Sequence, residues 1–150
     1  MAKNIAPGVA DSPGIPVILL TCMDYRYPFR ILNAMDSQGL RGKYDQLILA
    51  GAALGVMHEE AWRTTFWDQL EFAIEHHGVK QLIIVEHRDC GAYREFLGIT
   101  SDDPDKEKQA HIEQCWEAIR LTREKFPKLE QFRCLLLPIE TIEELPPEPV

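Results

Sequence analysis

The sequence predicts an α/β fold with a mostly parallel four-stranded sheet and helices on both faces. Short apolar runs alternate along the chain with stretches of helical spacing, which is typical of strands and helices that follow one another. The apolar runs are mostly unbroken, as expected of parallel strands covered on both faces. The length of 150 residues, with 45% hydrophobic and 27% charged residues, predicts one soluble globular domain over residues 1–150.

The individual elements are predicted from apolar runs and from the residues that begin and end helices. Pro28 suits the first turn of a helix, while Gly39 and Gly78 suit positions just beyond a helix end. We expect strands at 17–21, 44–50, 80–86 and 132–137, helices at 28–38, 59–77 and from Asp102 through Lys125, a helical turn at 91–97 and a glycine-bearing turn at 51–55. The leader, residues 1–15, and the proline- and glutamate-rich tail, residues 139–150, are expected to be mobile.

Charge and composition exclude several classes of function. The net charge is −8 and no basic cluster offsets it, so nucleic acid and anionic membranes are poor partners. No apolar run approaches the roughly 20 residues that span a bilayer, and the N-terminus lacks the apolar segment of a signal peptide, which predicts a cytoplasmic protein. In that compartment thiols stay reduced, so some of the cysteines could be ligands or nucleophiles: Cys22, Cys90, Cys115 and Cys134.

Polar and thiol side chains follow the first and third predicted strands directly. Cys22, Asp24 and Arg26 occupy every second position after the first strand, and His87 and Cys90 follow the third. With a strand order of 2-1-3-4, these two segments meet where the winding direction of the sheet reverses, the usual place for a site in such folds. Two thiolates and one imidazole form a three-ligand zinc set that leaves a fourth position for water.

These segments resemble the β-class carbonic anhydrases. CMDYR is similar to the family's Cys-x-Asp-x-Arg motif and HRDC to its His-x-x-Cys motif, and the likeness covers roughly residues 16 to 97. The resemblance implies that Cys22, His87 and Cys90 bind one Zn²⁺ per chain and that Asp24 and Arg26 form a catalytic dyad beside it. It also implies reversible hydration of carbon dioxide to bicarbonate by zinc-bound hydroxide, in a homodimer or a higher homo-oligomer.

The sequence departs from that family around the site. Where many members have Arg-Asn-Ala-Gly-Asn, this chain has Ile48-Leu-Ala-Gly-Ala52, which keeps the Ala-Gly turn but loses its polar neighbours. The predicted substrate pocket comprises Ala50, Gly51, Ala52 and Gly91. A more apolar wall would suit carbonyl sulfide or carbon disulfide, so a zinc hydrolase of these molecules is one alternative function. A non-catalytic zinc domain for assembly or sensing is another.

Several residues near the motifs have two interpretations. Glu86 and Arg88 also replace the family's usual residues beside His87, and together with Asp89 they could tune the site or form structural ion pairs and caps. His111 and Cys115 lie four apart on a predicted helix, which permits a metal pair. Cys115 also shares an apolar stripe with other helix residues, and this favours a core position.

Overall fold

A computed structural model describes residues 14–137 and 143–146 of the chain. The remaining parts of the predicted leader and tail, residues 1–13, 138–142 and 147–150, lie outside the described residues. The elements are β1 (Val17–Thr21), α1 (Pro28–Ser37), β2 (Tyr44–Ile48), α2 (Ala53–His58), α3 (Glu60–His77), β3 (Gln81–His87), α4 (Gly91–Leu97), α5 (Pro104–Lys125), β4 (Gln131–Leu137) and β5 (Glu143–Leu145).

The sheet has the order β2-β1-β3-β4-β5. The first four of these strands are parallel neighbours, which confirms the predicted α/β fold and the order 2-1-3-4. The fifth strand was not predicted, and it pairs antiparallel with β4. Its three residues, Glu143–Leu145, carry two glutamates and no apolar run, so the strand depends on its pairing with β4 rather than on local preference.

Helices cover both faces of the sheet, as predicted. Alternate side chains of β1 and β3 leave on opposite faces, so Ile18 and Ile84 pack with α3 and α5, whereas Leu19 and Ile83 pack with α1. Cys115 lies fully buried in the first of these cores, which confirms its predicted core position. Among the described helices, none combines the length and the apolar character needed to cross a bilayer.

The structure differs from the prediction between β2 and α3. A separate helix, α2, occupies Ala53–His58, where the sequence predicts a turn. Its residues Leu54 and Val56 are buried, and the helix packs against α3 and α5. Extended backbone at Glu59, with φ −112° and ψ 112°, separates it from α3. Tertiary packing therefore stabilises a six-residue helix that would be marginal in isolation.

Candidate metal centre

Three potential metal ligands meet at the carboxyl edge of the sheet. Cys22 follows β1 directly, His87 is the last residue of β3, and Cys90 precedes α4. Because β1 and β3 are parallel neighbours, with Thr21 opposite Val85, their ends lie side by side. The ligand atoms of the three buried residues all lie within 4.8 Å of one another, so a single ion could contact all of them. The structure thus brings together the residues that the sequence predicts.

The orientation of His87 leaves one ring nitrogen available toward the thiols. Its Nδ1 donates to the carbonyl oxygen of Arg88 at 2.8 Å, and its ring stacks on Tyr27 with 4.2 Å between centroids. The Nε2 atom is buried and has no hydrogen-bond partner among the described residues. A fixed Nδ1–H bond of this kind places a lone pair on Nε2, which is what a metal-binding histidine requires.

The pKa values of the two thiols at the site are shifted in opposite directions. The Cys90 side chain hydrogen-bonds to Cys22 and lowers the pKa of Cys22 to about 4, against the opposing effect of burial. The backbone N–H of Gly51 also donates to Cys22 Sγ at 3.3 Å and lowers this pKa further. The same Cys22 contact, together with burial, raises the pKa of Cys90. Because the thiolate is the metal-binding form of cysteine, metal binding at this site would favour deprotonation of both thiols.

Asp24 and Arg26 form a two-pronged ion pair beside the thiols. Arg26 Nε donates to Asp24 Oδ1 at 3.0 Å and Nη2 donates to Oδ2 at 2.8 Å. The Arg26 backbone N–H donates to Oδ1 as well, at 2.9 Å. These side-chain hydrogen bonds lower the pKa of Asp24 to about 2. The Asp24 Oδ2 atom lies 3.8 Å from His87 Nε2, so an ionised carboxylate stands next to the metal ligands without bonding to them.

Asp89 binds the other side of the same guanidinium. Arg26 Nη1 donates to Asp89 Oδ2 at 2.9 Å, and Nη2 donates to the Asp89 carbonyl at 2.8 Å. Asp89 has a left-handed backbone with φ +54°, which aspartate tolerates better than most residues. Its Oδ1 accepts a further bond from Arg94 Nη2 at 2.8 Å. Arg26 therefore ties the segment after β1 to the segment after β3.

Glu107, a buried glutamate of α5, also binds the segment after β3. Glu107 accepts a hydrogen bond from Arg88 Nη1 at 2.9 Å through Oε1 and from the Asp89 backbone N–H at 2.8 Å through Oε2. Arg88 Nη1 also donates to the Pro104 carbonyl at 3.0 Å. Sequence reasoning missed Glu107, whose only signal is a carboxylate in the first turn of a long helix. Its partners depend on how α5 packs.

Glu86 lies on the other face of β3 from His87 and binds the turn after β2. Its Oε1 accepts from the Ala53 N–H at 2.8 Å, and its Oε2 pairs with His111 Nδ1 at 2.9 Å. Both side chains of this pair are buried. His111 is therefore a hydrogen-bond partner of Glu86, and Cys115 lies in the core. Among the described residues, neither belongs to a cluster of three or more potential metal ligands.

A cavity of about 500 Å³ opens beside the candidate metal ligands. Cys22 and Asp24 contribute to its wall, and the rest is formed by α1 and the outward face of β2. Its lining comprises Thr21, Cys22, Met23, Asp24, Pro28, Ile31, Leu32, Tyr44, Gln46 and Ile48. Positions 44, 46 and 48 alternate along an edge strand and therefore point to the same side of the sheet. This spacing is the sequence signal that could have predicted the β2 part of the cavity wall.

The four predicted pocket residues occupy a different place. Ala50, Gly51, Ala52 and Gly91 do not line this cavity. Gly51 has φ +75°, and a Cβ there would meet Ala92 Cβ at 2.9 Å, so only glycine fits this turn. Ala52 is fully buried. A direct substrate contact from these residues stays a prediction.

The fold and the site define an α/β protein with a candidate three-ligand metal centre at the carboxyl edge of its sheet. The model of a family described as "Putative carbonic anhydrase" matches residues 14–132. The chain belongs to this family.

Relatives at the sequence level are similar over most of the chain. A protein of Rickettsia bellii (strain RML369-C) is 32% identical over 122 residues, which cover 79% of this chain and 74% of the relative. A protein of Rickettsia conorii (strain ATCC VR-613 / Malish 7), RC0076, is 31% identical over 135 residues, which cover 86% of this chain and 73% of the relative. Both are described as uncharacterized.

Solved structures with the same fold are β-carbonic anhydrases. One is CafA of the fungal pathogen Aspergillus fumigatus, with a TM-score of 0.59 and 17% identity, covering 96% of this chain and 81% of that one. Another comes from a study of two tetrameric β-carbonic anhydrases of Sordaria macrospora, with a TM-score of 0.62 and 16% identity, covering 91% of this chain and 83% of that one. At these identities the likeness establishes the fold.

Proposed function

We propose that this chain is a zinc enzyme that reversibly hydrates carbon dioxide to bicarbonate and a proton, with one Zn²⁺ per chain. The observation that carries the proposal is the placement of three ligand atoms within 4.8 Å of one another, beside a carboxylate that Arg26 keeps ionised. Membership of a carbonic anhydrase family supports the same reaction.

The residues at the site suit zinc in both chemistry and orientation. Zn²⁺ prefers four-coordinate sites with sulfur and nitrogen ligands. The atoms that would hold it are Cys22 Sγ, Cys90 Sγ and His87 Nε2, the last of which is buried without a hydrogen-bond partner among the described residues. When bound, the ion supplies a Lewis acid that makes water nucleophilic near neutral pH.

Asp24 would orient the attacking water. An ionised carboxylate accepts hydrogen bonds and donates none, so Asp24 would accept the O–H of that water and turn an oxygen lone pair toward the carbon of CO2. Arg26 positions the carboxylate through its paired N–H groups. This help matters because two thiolates formally cancel the charge of the metal, which then acidifies water less than a metal held by neutral histidines.

Carbonyl sulfide or carbon disulfide is the second candidate substrate class. The observation that favours it is the apolar part of the cavity wall beside Cys22, to which Met23, Leu32 and Ile48 contribute. Carbon dioxide, carbonyl sulfide and carbon disulfide are all linear electrophiles, and the same attack by water serves all of them. The family supports carbon dioxide, which we therefore place first.

The test measures metal content and turnover together. We expect protein purified with zinc to contain one zinc per chain and to accelerate CO2 hydration in a stopped-flow assay, with sulfide release from carbonyl sulfide measured in parallel. Cys22→Ala should lose the metal and the activity, whereas Cys134→Ala, which removes a buried core thiol of β4, should keep both. Zinc bound with no turnover of either substrate would instead indicate a non-catalytic assembly or sensing domain.

Two further properties belong to this proposal. A homo-oligomer is supported by the tetrameric β-carbonic anhydrases that share the fold, and we propose a homodimer or a multiple of it. We also propose the cytoplasm as the location, because its reducing conditions keep thiols such as Cys22 and Cys90 available as metal ligands.

A further inference from the structure

Glu86 is a fully buried carboxylate that the proposed reaction does not use. It precedes His87 on β3, and the alternation of the strand sends its side chain to the face that packs with α2 and α5. It is 1% exposed, and its partner His111 is 0% exposed. Tyr93 covers the His111 ring with 4.0 Å between ring centroids. Because burying such a pair costs desolvation, stability alone is a weak reason for its presence.

The Glu86 carboxylate acts on the backbone of the turn that follows β2. Its Oε1 accepts from the Ala53 N–H at 2.8 Å. The preceding residue, Ala52, has φ +47° and ψ −107°, a conformation that alanine rarely adopts and that needs support from its surroundings. Glu86 supplies that support from the sheet, and His111 holds Glu86 in turn through a bond of 2.9 Å from Nδ1 to Oε2.

The 51–53 turn contacts the candidate metal ligand Cys22 through one backbone amide. Gly51 donates its N–H to Cys22 Sγ at 3.3 Å. Hydrogen bonds to a metal-binding thiolate withdraw charge from the sulfur and leave the metal more electrophilic, and groups that orient ligands in this way are tuning elements of metal sites. The position of the Gly51 amide depends on the turn, and the turn is bound at Ala53 by Glu86.

We infer that Glu86 and His111 are positioning residues that hold the 51–53 turn. The turn then places the Gly51 amide so that it hydrogen-bonds to the Cys22 thiolate and reduces the negative charge that this sulfur supplies to the metal. The inference rests on the proposed function, because it assigns a role to these residues only if Cys22 binds the metal.

The experiment compares three variants with the parent chain, each loaded with zinc and, separately, with Co²⁺. Glu86→Met combined with His111→Leu removes both partners at once, so that neither is left as an unpaired buried charge. Glu86→Gln keeps an oxygen that can accept from Ala53. Val79→Ala removes buried apolar atoms just before the start of β3, at the opposite end of the strand from His87, and controls for a general loss of stability.

We expect the double variant to bind zinc about 10-fold more weakly, as is typical when partners of metal ligands are removed. Its thiolate-to-cobalt charge-transfer absorption should move to longer wavelength, because a sulfur without its hydrogen bond gives up electrons more easily. Glu86→Gln should keep the parent spectrum, and so should Val79→Ala.

The outcomes separate this inference from the proposed function. A double variant with the parent cobalt spectrum and the parent zinc affinity would overturn the role of Glu86 while leaving the metal site intact. The inference would also be overturned if Val79→Ala lost as much zinc affinity as the double variant and no variant changed the cobalt spectrum. The Glu86–His111 pair would then be a purely structural contact. A parent chain that binds neither metal would refute the proposed function itself, and the inference with it.

Discussion

At the residue scale, Arg26 joins two carboxylates that come from different segments of the site. Its guanidinium donates to Asp24 on one side and to Asp89 on the other. The planar fork of arginine can make both contacts at once, which a lysine ammonium cannot do with the same geometry. The resemblance of CMDYR to a Cys-x-Asp-x-Arg motif implies the Asp24–Arg26 pair, but Asp89 is 63 positions from Arg26 in the sequence and its contact depends on the parallel pairing of β1 and β3.

Replacing Arg26 with alanine should abolish most of the hydration activity while the protein keeps its zinc. Asp24 would lose the side-chain hydrogen bonds that orient it, and misplacement of a positioning group by about 1 Å can cost roughly 100-fold in rate. Stopped-flow hydration and metal analysis on the same sample measure both quantities. Arg41→Ala is the matched control, because Arg41 forms a similar pair with Asp36 on the exposed part of α1. If Arg26→Ala loses zinc together with activity, the residue is structural.

The same substitution should raise the pKa of Asp24. Hydrogen bonds from Arg26 lower that pKa from 3.8 to about 2. The resulting stability is therefore present above pH 3.8 and is lost as the pH falls through about 2. An NMR titration of the Asp24 carboxyl carbon in metal-free protein should give a clearly lower midpoint in the parent chain than in Arg26→Ala. Equal midpoints would show that the ion pair does not form in solution.

At the element scale, the segment between β3 and α4 is fixed by its contact with the first turns of α5. Glu107 is buried and accepts from both the Arg88 side chain and the Asp89 backbone. Arg88 and Asp89 lie between His87 and Cys90 in the sequence, and both of these flanking residues are candidate metal ligands. The long helix α5 therefore supports the candidate metal centre, although the three candidate ligands lie elsewhere in the chain.

Glu107→Ala should destabilise the protein by about 3 kcal/mol, because it leaves the Asp89 N–H without its acceptor and removes the buried carboxylate that pairs with Arg88. Urea unfolding of the zinc-loaded protein measures this loss. Glu107→Gln keeps an acceptor for the Asp89 N–H and should lose less. If both variants unfold at the parent urea concentration, the contact contributes nothing measurable to the segment.

The elements also show what the sequence could and could not predict. Strands β1, β3 and β4 and the order of the parallel strands follow from unbroken apolar runs and from the position of the motifs at strand ends. Helix α2 and strand β5 depend on packing against α5 and β4, which no local pattern encodes. The clustering of Cys22, His87 and Cys90 was predictable because these residues follow neighbouring strands, whereas the contacts of Glu86, Glu107 and His111 required the packed structure.

At the scale of the whole molecule, one surface of the described chain combines exposed apolar side chains with the opening of the cavity. Met23, Leu32 and Ile48 line the cavity and are themselves 68%, 43% and 55% exposed. Tyr25 and Phe29, from the same stretch of chain, are 88% and 81% exposed. We call this set the apolar face. Exposed apolar groups that cluster in this way commonly mark an interface.

Phe29→Glu should weaken self-association, because it places a charge on the apolar face, which we propose to be covered by a second copy of this chain. Sedimentation velocity of the zinc-loaded protein should show a dimer or larger species for the parent and a shift toward monomer for the variant. Phe72→Glu is the matched control, since Phe72 on α3 is 55% exposed and is not part of the apolar face. An equal shift in both variants would assign the effect to added charge in general.

The hydration rate of the same two variants shows whether the second copy also completes the cavity. Cys22 and Asp24 lie at one side of a cavity whose other walls include the exposed Met23, Leu32 and Ile48. A partner that covers these side chains would shield the site from bulk water and would raise the strength of its hydrogen bonds. Monomeric Phe29→Glu should then hydrate CO2 more slowly at unchanged zinc content. A monomer with the parent rate would mean that each chain carries a complete site and that the apolar face serves association alone.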